Sequence, residues 1–274
     1  MSILLVDIGN TRIKWARFDG QRLGRQHAAV FAGWKSGDFA RRVVGVVPGV
    51  SSRRGVGRIV VASVAGERVN RMFIRAARNA HAPKPEFVSS QRRAGGVTTQ
   101  YVEPWRLGVD RFAMAIGAHD LAKGVGVCIV SVGTALTIDL VNAAGTHLGG
   151  AILPSPHLMV DSLLTKTNGI RRRAAGSESS LASRLAPGRA GSIFARSTRA
   201  AIEQGALLAA AAAIDRGAQE AAHTLGQTPL VVLTGGGAKA VAPLIQTTHV
   251  SVPGLVLHGL AVLAQEGTHP SKGS

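Results

Sequence analysis

Aromatic residues, acidic residues and cysteine are all scarce in this 274-residue chain. Aromatic residues make up 4% of it and hydrophobic residues 46%, so the core must consist mainly of Val, Leu, Ile and Ala. Val-rich runs that alternate with Ala-rich segments favour an α/β fold over an all-β fold. The length is sufficient for one large domain or for two of medium size.

The single cysteine, Cys128, excludes an internal disulfide and predicts a reducing, cytoplasmic location. No apolar run is long enough to span a membrane, and no basic leader is expected before the strand predicted at Ile3–Val6. The chain also lacks the Walker-type P-loop and the H-x-x-x-H, C-x-x-C and G-x-S-x-G motifs. We therefore predict no P-loop, no protein-ligated metal centre and no serine nucleophile of the α/β-hydrolase type.

Acidic residues are outnumbered by basic ones, 15 against 32, which gives a net charge of +17. Such a charge fits nucleic acid, anionic membranes or acidic substrates as partners. However, the densest basic patches, Arg53–Arg58 and Arg171–Arg173, lie in predicted loops without interleaved aromatic residues. No helix-turn-helix, zinc-finger or RNP pattern accompanies them, so we do not expect nucleic acid to be a partner.

An internal repeat is the most informative feature of the chain. LLVDIGNTRIKWARFDG at 4–20 and CIVSVGTALTIDLVNAAG at 128–145 each predict a strand, a glycine-containing turn and an alternating second strand. In this alignment Asp7, Gly9 and Asn10 match Ser131, Gly133 and Thr134. A third glycine turn, LTGGGAK at 233–239, follows another predicted strand. Three strand-to-glycine turns indicate a duplicated fold that holds a nucleotide phosphate chain from both sides.

The repeat predicts two related α/β domains with mixed sheets, an N-terminal domain over 1–115 and a C-terminal domain over 116–266. We expect the tail 267–274 to be disordered. Ser197 or Thr198 should cap the longest helix and Gly226 should end it. Segments 33–58 and 166–196 show no clear periodicity, and the second is expected to be a loop with a short helix. The predicted strands are 3–8, 12–18, 59–64, 86–89, 127–132, 136–142, 147–153, 230–234 and 248–252, and the predicted helices are 67–80, 111–123, 156–165, 197–223, 239–245 and 255–266.

The first glycine turn is flanked by residues suited to bind nucleotide phosphates. Glycine allows the backbone to approach phosphate closely, and the exposed N–H groups of such turns bind anions. Lys14 could neutralise phosphate charge, although it could equally be a solvated strand residue. Asp7 ends an otherwise apolar strand, so it must be solvated, paired or bound to a cation. Mg²⁺ of a nucleotide is the simplest such cation, because it commonly uses one carboxylate together with phosphate oxygens.

A second group of candidates lies near the predicted domain junction. Asp110 and Arg111 begin a predicted helix and could act as a general base and an anion clamp. The alternative for Asp110 is a helix N-cap, which is a common role for aspartate. The residues alone leave both interpretations open.

These motifs together resemble the type III pantothenate kinases, also called Bvg accessory factor-like proteins. The resemblance rests on D-x-G-N-T-x-x-K at 7–14, Y-x-x-P-x-x-L-G-x-D-R at 101–111, G-T-A-x-T-x-D at 133–139 and L-G-G-x-I-x-P at 148–154. T-G-G-G at 234–237 and L-V-L-H-G-L at 255–260 extend it over nearly the whole chain. It implies two actin-like (ribonuclease H-like) domains of the acetate and sugar kinase, Hsp70 and actin (ASKHA) superfamily.

The resemblance also implies an activity and a set of roles. The activity is ATP-dependent phosphorylation of pantothenate, the first step of coenzyme A synthesis, carried out by a cytoplasmic homodimer. Asp110 would be the general base, and Thr198 would complete the pantothenate site of the partner subunit. The implied nucleotide-binding residues are Asp7, Ile8, Gly9, Asn10, Thr11, Arg12, Ile13, Lys14 and Thr134, and the implied pantothenate-binding residues are Tyr101, Gly108, Val109, Asp110, Arg111 and Thr198.

One departure from the family pattern concerns a monovalent cation. The resemblance implies use of K⁺ or NH₄⁺, and many members hold this cation with an aspartate where this chain has Ser131. A serine hydroxyl is a neutral and weaker ligand, so we expect weaker cation dependence here.

Two rival functions remain at this stage. One is an ATP-dependent kinase of the same fold that acts on another small hydroxylated substrate. The other is a non-catalytic regulatory or nucleic-acid-associated protein that has kept the fold.

Overall fold

The computed structural model describes residues 2–45, 56–175 and 194–266. Two compact units divide the chain. The first comprises Met1–Gly124, Ala143–Gly149 and Gly254–Ser274, and the second comprises Val125–Asn142 and Gly150–Pro253. The domain boundary at 115/116 stays a prediction. The tail 267–274 and residues 53–55 of the first basic patch lie outside the described residues.

The elements follow the predicted α/β pattern closely. The strands are β1 (Ser2–Ile8), β2 (Arg12–Phe18), β3 (His27–Val30), β4 (Val56–Ser63), β5 (Pro85–Phe87), β6 (Arg93–Ala94), β7 (Val97–Thr99), β8 (Val127–Val132), β9 (Ala135–Val141), β10 (Thr146–Pro154), β11 (Leu230–Thr234) and β12 (Val250–Ser251). The α-helices are α1 (Ser36–Phe39), α2 (Glu67–Asn79), α3 (Val109–Ala122), α4 (Pro156–Lys166), α5 (Asn168–Ala174), α6 (Thr198–Leu225), α7 (Ala238–Val241) and α8 (Leu255–Glu266).

The first unit is built on a mixed sheet with the strand order β3–β2–β1–β4–β5. Strand β1 pairs antiparallel with β2 and parallel with β4. All seven residues of β1 are buried, as expected for a continuous apolar run in the centre of a sheet. The mixed sheet and the first predicted hairpin are confirmed.

Helices cover both faces of this sheet. Leu4 and Val6 of β1 pack in one core cluster with Phe73 of α2. On β1 the side chains alternate between faces, so Asp7 points away from that cluster. Helix α8 contacts β1, α3 contacts β4, and α3 and α8 pack against each other. The carboxylate of Asp7 therefore lies on the α3 and α8 side of the sheet.

The second unit contains the strand order β12–β11–β8–β9, followed by the part of β10 from Gly150 onward. Strands β8 and β9 form the second antiparallel hairpin, and β11 runs parallel to β8. One face of the sheet packs on the long helix α6, where Val130 meets Ala210 and Ile214 in a common core cluster. The predicted duplication of the hairpin is confirmed.

Local signals located the ends of the longest helix correctly. The hydroxyl of Ser197 accepts a hydrogen bond from the N–H of Ala200 at 3.3 Å, which caps α6. Gly226 ends the helix in the left-handed region, at φ +67°. No helix in the described ranges is long and apolar enough to cross a membrane.

Short elements account for the differences from prediction. The strand predicted at 248–252 is only the two-residue β12, and β3, β6, β7 and α1 were not predicted. Arg171–Arg173, which were predicted to lie in a loop, instead belong to α5, and α5 is a short helix of the kind expected within 166–196. Elements of two to seven residues have too few side chains to show a period, so pairing and packing decide them.

Candidate functional site

The first glycine turn is compact and exposed. Ile8 pairs with Ile13 across the hairpin, and the N–H of Gly9 donates to the carbonyl of Arg12 at 3.0 Å. Asn10, Thr11 and Arg12 are exposed. The side chains of Ile8 and Ile13 are fully buried, so only their backbone groups could contact a ligand. The turn therefore offers backbone and polar side-chain donors to an anion.

The second glycine turn is one residue shorter than the first. Val132 pairs with Leu136, which leaves residues 133–135 in the turn, against 9–12 in the first. The N–H of Gly133 donates to the carbonyl of Ala135 at 2.9 Å, and Gly133 and Thr134 are exposed. The two hairpins are thus related but not identical.

The third glycine turn lies beside the second. The N–H of Gly237 donates to the carbonyl of Val132 at 2.9 Å. At Gly235, which has a φ of +99°, a Cβ would lie 2.3 Å from that carbonyl oxygen. Glycine is therefore required here by both the backbone conformation and the close approach.

Asp7 and Lys14 form an ion pair at the mouth of the first hairpin. They are paired across β1 and β2, and Lys14 Nζ lies 3.4 Å from Asp7 Oδ2. Asp7 is only 6% exposed. Desolvation by burial raises the pKa of Asp7 to about 6, opposed by Lys14 and assisted by the negative charge of Asp110. The charge of Asp110 is thus close enough to act on Asp7.

The raised pKa predicts that Asp7 destabilises the free protein at neutral pH. Because the folded state holds the proton more tightly, the stability associated with protonated Asp7 is lost as the pH rises from about 3.8 through about 6. At pH 7 the cost is about 3 kcal/mol. We expect Asp7→Asn to raise the free energy of unfolding by an amount of this order at pH 7.5, but little at pH 4. Urea denaturation at both values measures this, and an equal effect at both would contradict it.

Asp110 lies in the first turn of α3 rather than at its N-cap, which is Gly108. Its Oδ1 accepts a hydrogen bond from the N–H of Arg111 at 2.9 Å. A Cβ on Gly108 would lie 2.7 Å from this Oδ1, so the glycine leaves room for the carboxylate. The Asp110 side chain is half-buried, which leaves it reachable by a ligand.

Arg111 and Tyr101 form a second polar group in the same unit. Arg111 is buried, its Nη1 donates to the Tyr101 hydroxyl at 2.9 Å, and its guanidinium lies over the Tyr101 ring at 5.7 Å. The Tyr101 ring stacks on the imidazole of His147, with 5.8 Å between centroids. The sequence had not singled out His147. His147 became apparent only from the register of β10 with β7, which pairs His147 with Thr99.

Ser131 and Thr198 both belong to the second unit. Thr198 is the first residue of α6. Ser131 is in register with Thr137 on β9 and with Thr234 on β11. Residues in register on neighbouring strands share a face, so Ser131 is the middle hydroxyl of three. Sequence reasoning missed this row because β8 and β11 are far apart in the chain.

The carboxylates of the described residues are compatible with a nucleotide-bound metal ion. Within these residues no group of three or more His, Cys, Asp or Glu could hold a metal by itself. Mg²⁺ bound to a nucleotide needs only one or two carboxylates, since phosphate oxygens and waters complete its shell. Asp7, on which the charge of Asp110 acts, fits this requirement.

Comparison with known proteins identifies one family. A sequence model of the family described as Type III pantothenate kinase matches residues 3–220. A type III pantothenate kinase of Nitrosococcus oceani is 35% identical, covering 96% of this chain and 94% of the relative. One from Herminiimonas arsenicoxydans is 37% identical, covering 96% and 97%.

A solved structure supports the fold alone. The ROK family glucokinase of Streptomyces griseus, in complex with glucose and AMPPNP, matches with a TM-score of 0.51 at 13% sequence identity. The match covers 97% of this chain and 100% of the glucokinase chain.

Proposed function

The chain belongs to the type III pantothenate kinase family, and we propose that it uses Asp110 as the general base in phosphorylating pantothenate. The family reaction is ATP-dependent conversion of pantothenate to 4′-phosphopantothenate, the first step of coenzyme A synthesis. Asp110 accepts the proton of the primary hydroxyl of pantothenate as that oxygen attacks the γ-phosphorus of ATP. The bond between the γ-phosphorus and the bridging oxygen breaks, and ADP leaves.

The observation that carries this proposal is the Asp7–Lys14 ion pair beside the first glycine turn, together with the electrostatic effect of Asp110 on Asp7. Asp7 is buried and paired with Lys14, and the charge of Asp110 raises the pKa of Asp7. Positioning and charge stabilisation provide most of the catalysis in phosphoryl transfer. An arrangement that destabilises the free protein is expected at a site that binds a cation.

The nucleotide is assigned to the glycine turns. The first glycine turn, together with the side chains of Asn10, Thr11 and Lys14, holds its phosphates, and Thr134 is a second nucleotide contact. Kinases of this kind bind ATP with a divalent metal ion. Asp7 would hold this ion, here Mg²⁺, together with phosphate oxygens. Bound Mg²⁺ neutralises charge that develops on the phosphates.

The acceptor is assigned to the segment around Tyr101 and Gly108–Arg111. The Arg111 guanidinium is fixed by the Tyr101 hydroxyl at 2.9 Å, so its charge has a defined direction. Arginine matches a carboxylate well, which suits the carboxylate of pantothenate. The decisive experiment is to incubate the purified protein with Mg·ATP and pantothenate and to detect 4′-phosphopantothenate by mass spectrometry. A panel of other small alcohols as acceptors tests the rival function, an ATP-dependent kinase of the same fold that acts on another substrate.

Ser131 leads to a prediction about monovalent cations. Neutral oxygens attract a cation less strongly than a carboxylate does. We expect the wild-type enzyme to be active without added K⁺ or NH₄⁺, and Ser131→Asp to respond more strongly to them. Rates in Tris buffer against added potassium, for both proteins, measure this. The prediction is wrong if the wild type is silent without potassium and saturates at low concentrations.

We further propose that the enzyme is a cytoplasmic homodimer in which Thr198 completes the partner's pantothenate site. The support is the family resemblance together with the position of Thr198 at the start of α6. Light scattering combined with activity measurement tests the assembly, and an active monomer would contradict it.

A further inference from the structure

Arg92, which no motif of the sequence singled out, holds three carbonyl groups with one guanidinium. Its Nη1 donates to the carbonyls of Thr99 and Tyr101, both at 2.8 Å, and its Nη2 donates to that of Val102 at 3.1 Å. In addition, the carbonyl of Arg92 accepts the N–H of Thr99 at 3.0 Å. Arg92, which immediately precedes β6, therefore links the start of that strand to the segment 99–102.

This segment carries Tyr101. The Tyr101 N–H donates to the hydroxyl of Thr99 at 3.2 Å, and the same hydroxyl lies 3.0 Å from Nδ1 of the fully buried His147. His147 also stacks on the Tyr101 ring, and Arg111 donates a hydrogen bond to the Tyr101 hydroxyl. The tyrosine thus joins the segment held by Arg92 to the arginine assigned to the pantothenate carboxylate.

We propose that Arg92 is a positioning residue that fixes the Tyr101 segment and, through the Tyr101 hydroxyl, orients Arg111 for the acceptor. This inference rests on the proposed function, which assigns Tyr101 and Arg111 to pantothenate. Arg92 does not touch the substrate in this scheme. Its effect falls on pantothenate and not on ATP, because Asp7, Lys14 and the first glycine turn are not part of the contacts that Arg92 makes.

The three acceptors also explain why arginine is needed. The guanidinium presents five N–H donors in a rigid plane, and three of them are used here. A lysine is a compact charge on a flexible stem, so it cannot hold three carbonyls in a fixed geometry. Arg92→Lys should therefore recover only part of the function that Arg92→Ala loses.

The test compares Arg92→Ala, Arg92→Lys and the control Arg93→Ala, which removes the neighbouring exposed arginine of β6. Steady-state kinetics are measured with pantothenate and ATP varied separately, alongside the melting temperature of each variant. We expect Arg92→Ala to raise the KM for pantothenate by about tenfold, consistent with the loss of charge-assisted hydrogen bonds. Arg92→Lys should give a smaller rise, and the KM for ATP should stay at the wild-type value. Arg93→Ala should behave as wild type.

The possible failures are distinguishable. If the wild type makes no 4′-phosphopantothenate, the proposed function is wrong and this inference falls with it. If the wild type is active and the Arg92 variants match Arg93→Ala, only the inference is overturned. A parallel rise of both KM values with a lower melting temperature would also overturn it, since Arg92 would then be purely structural. If Arg92→Ala does not fold, the selective rise in pantothenate KM must appear in Arg92→Lys.

Discussion

Replacing Asp110 with asparagine should lower kcat by about 10²–10⁴-fold while ATP still binds, because a lost general base typically has an effect of this size. The asparagine keeps nearly the same shape, and its carbonyl oxygen can still accept the N–H that Arg111 donates to Asp110 at 2.9 Å. Helix α3 should therefore begin as before. What the variant loses is the ability to accept a proton.

Asp120→Asn is the matched control, because Asp120 is an exposed aspartate on the same helix. Turnover is measured at saturating pantothenate and ATP, and ATP affinity is measured by calorimetry without pantothenate. We expect Asp120→Asn to turn over like the wild type. If Asp110→Asn keeps a near-normal kcat, Asp110 serves only the start of the helix and the mechanism proposed for it is wrong.

Of the substitutions described, Gly259→Ala should produce the largest loss of stability. A Cβ at this position in α8 would lie 1.8 Å from the carbonyl oxygen of Ala113 and 2.6 Å from its carbonyl carbon. These are backbone atoms of α3, so no side chain can rotate away to make room. Gly117 of α3 also packs closely on α8, because its Cβ would lie 2.7 Å from the nitrogen of Gly259. The two helices must move apart, and overpacking typically costs about 1–3 kcal/mol and occasionally more.

Gly205→Ala is the control for this substitution. Gly205 is an exposed residue within α6, and a Cβ there would meet nothing within 4 Å. Because alanine favours helix over glycine, that variant should be unchanged or more stable by up to about 1 kcal/mol. The free energy of unfolding in urea is measured for both variants. A Gly259→Ala protein with wild-type stability would mean that α3 and α8 pack less closely than described.

Sequence alone determined the mixed α/β architecture and the duplicated hairpins. A buried strand, a glycine turn and an alternating strand are local patterns, so β1–β2 and β8–β9 could be read directly from the residues. The cap at Ser197 and the left-handed end at Gly226 were predictable for the same reason. Asp7 and Asp110 were also named as candidates, since acidic residues are rare and these two stand at a strand end and a helix start. Lys14 was named because it lies beside the first glycine turn.

Only the tertiary structure decided which residues contact one another. Asp110 acts on the pKa of Asp7, Arg92 donates to three carbonyls, and His147 stacks on Tyr101. The residues in these contacts are distant in sequence or lie at positions without a local pattern. The close crossing of α3 and α8 at Gly117 and Gly259 is of the same kind. Such contacts depend on strand order, register and helix packing. A periodicity of 2 or 3.6 residues records which side of an element is buried, but not which distant side chain it meets.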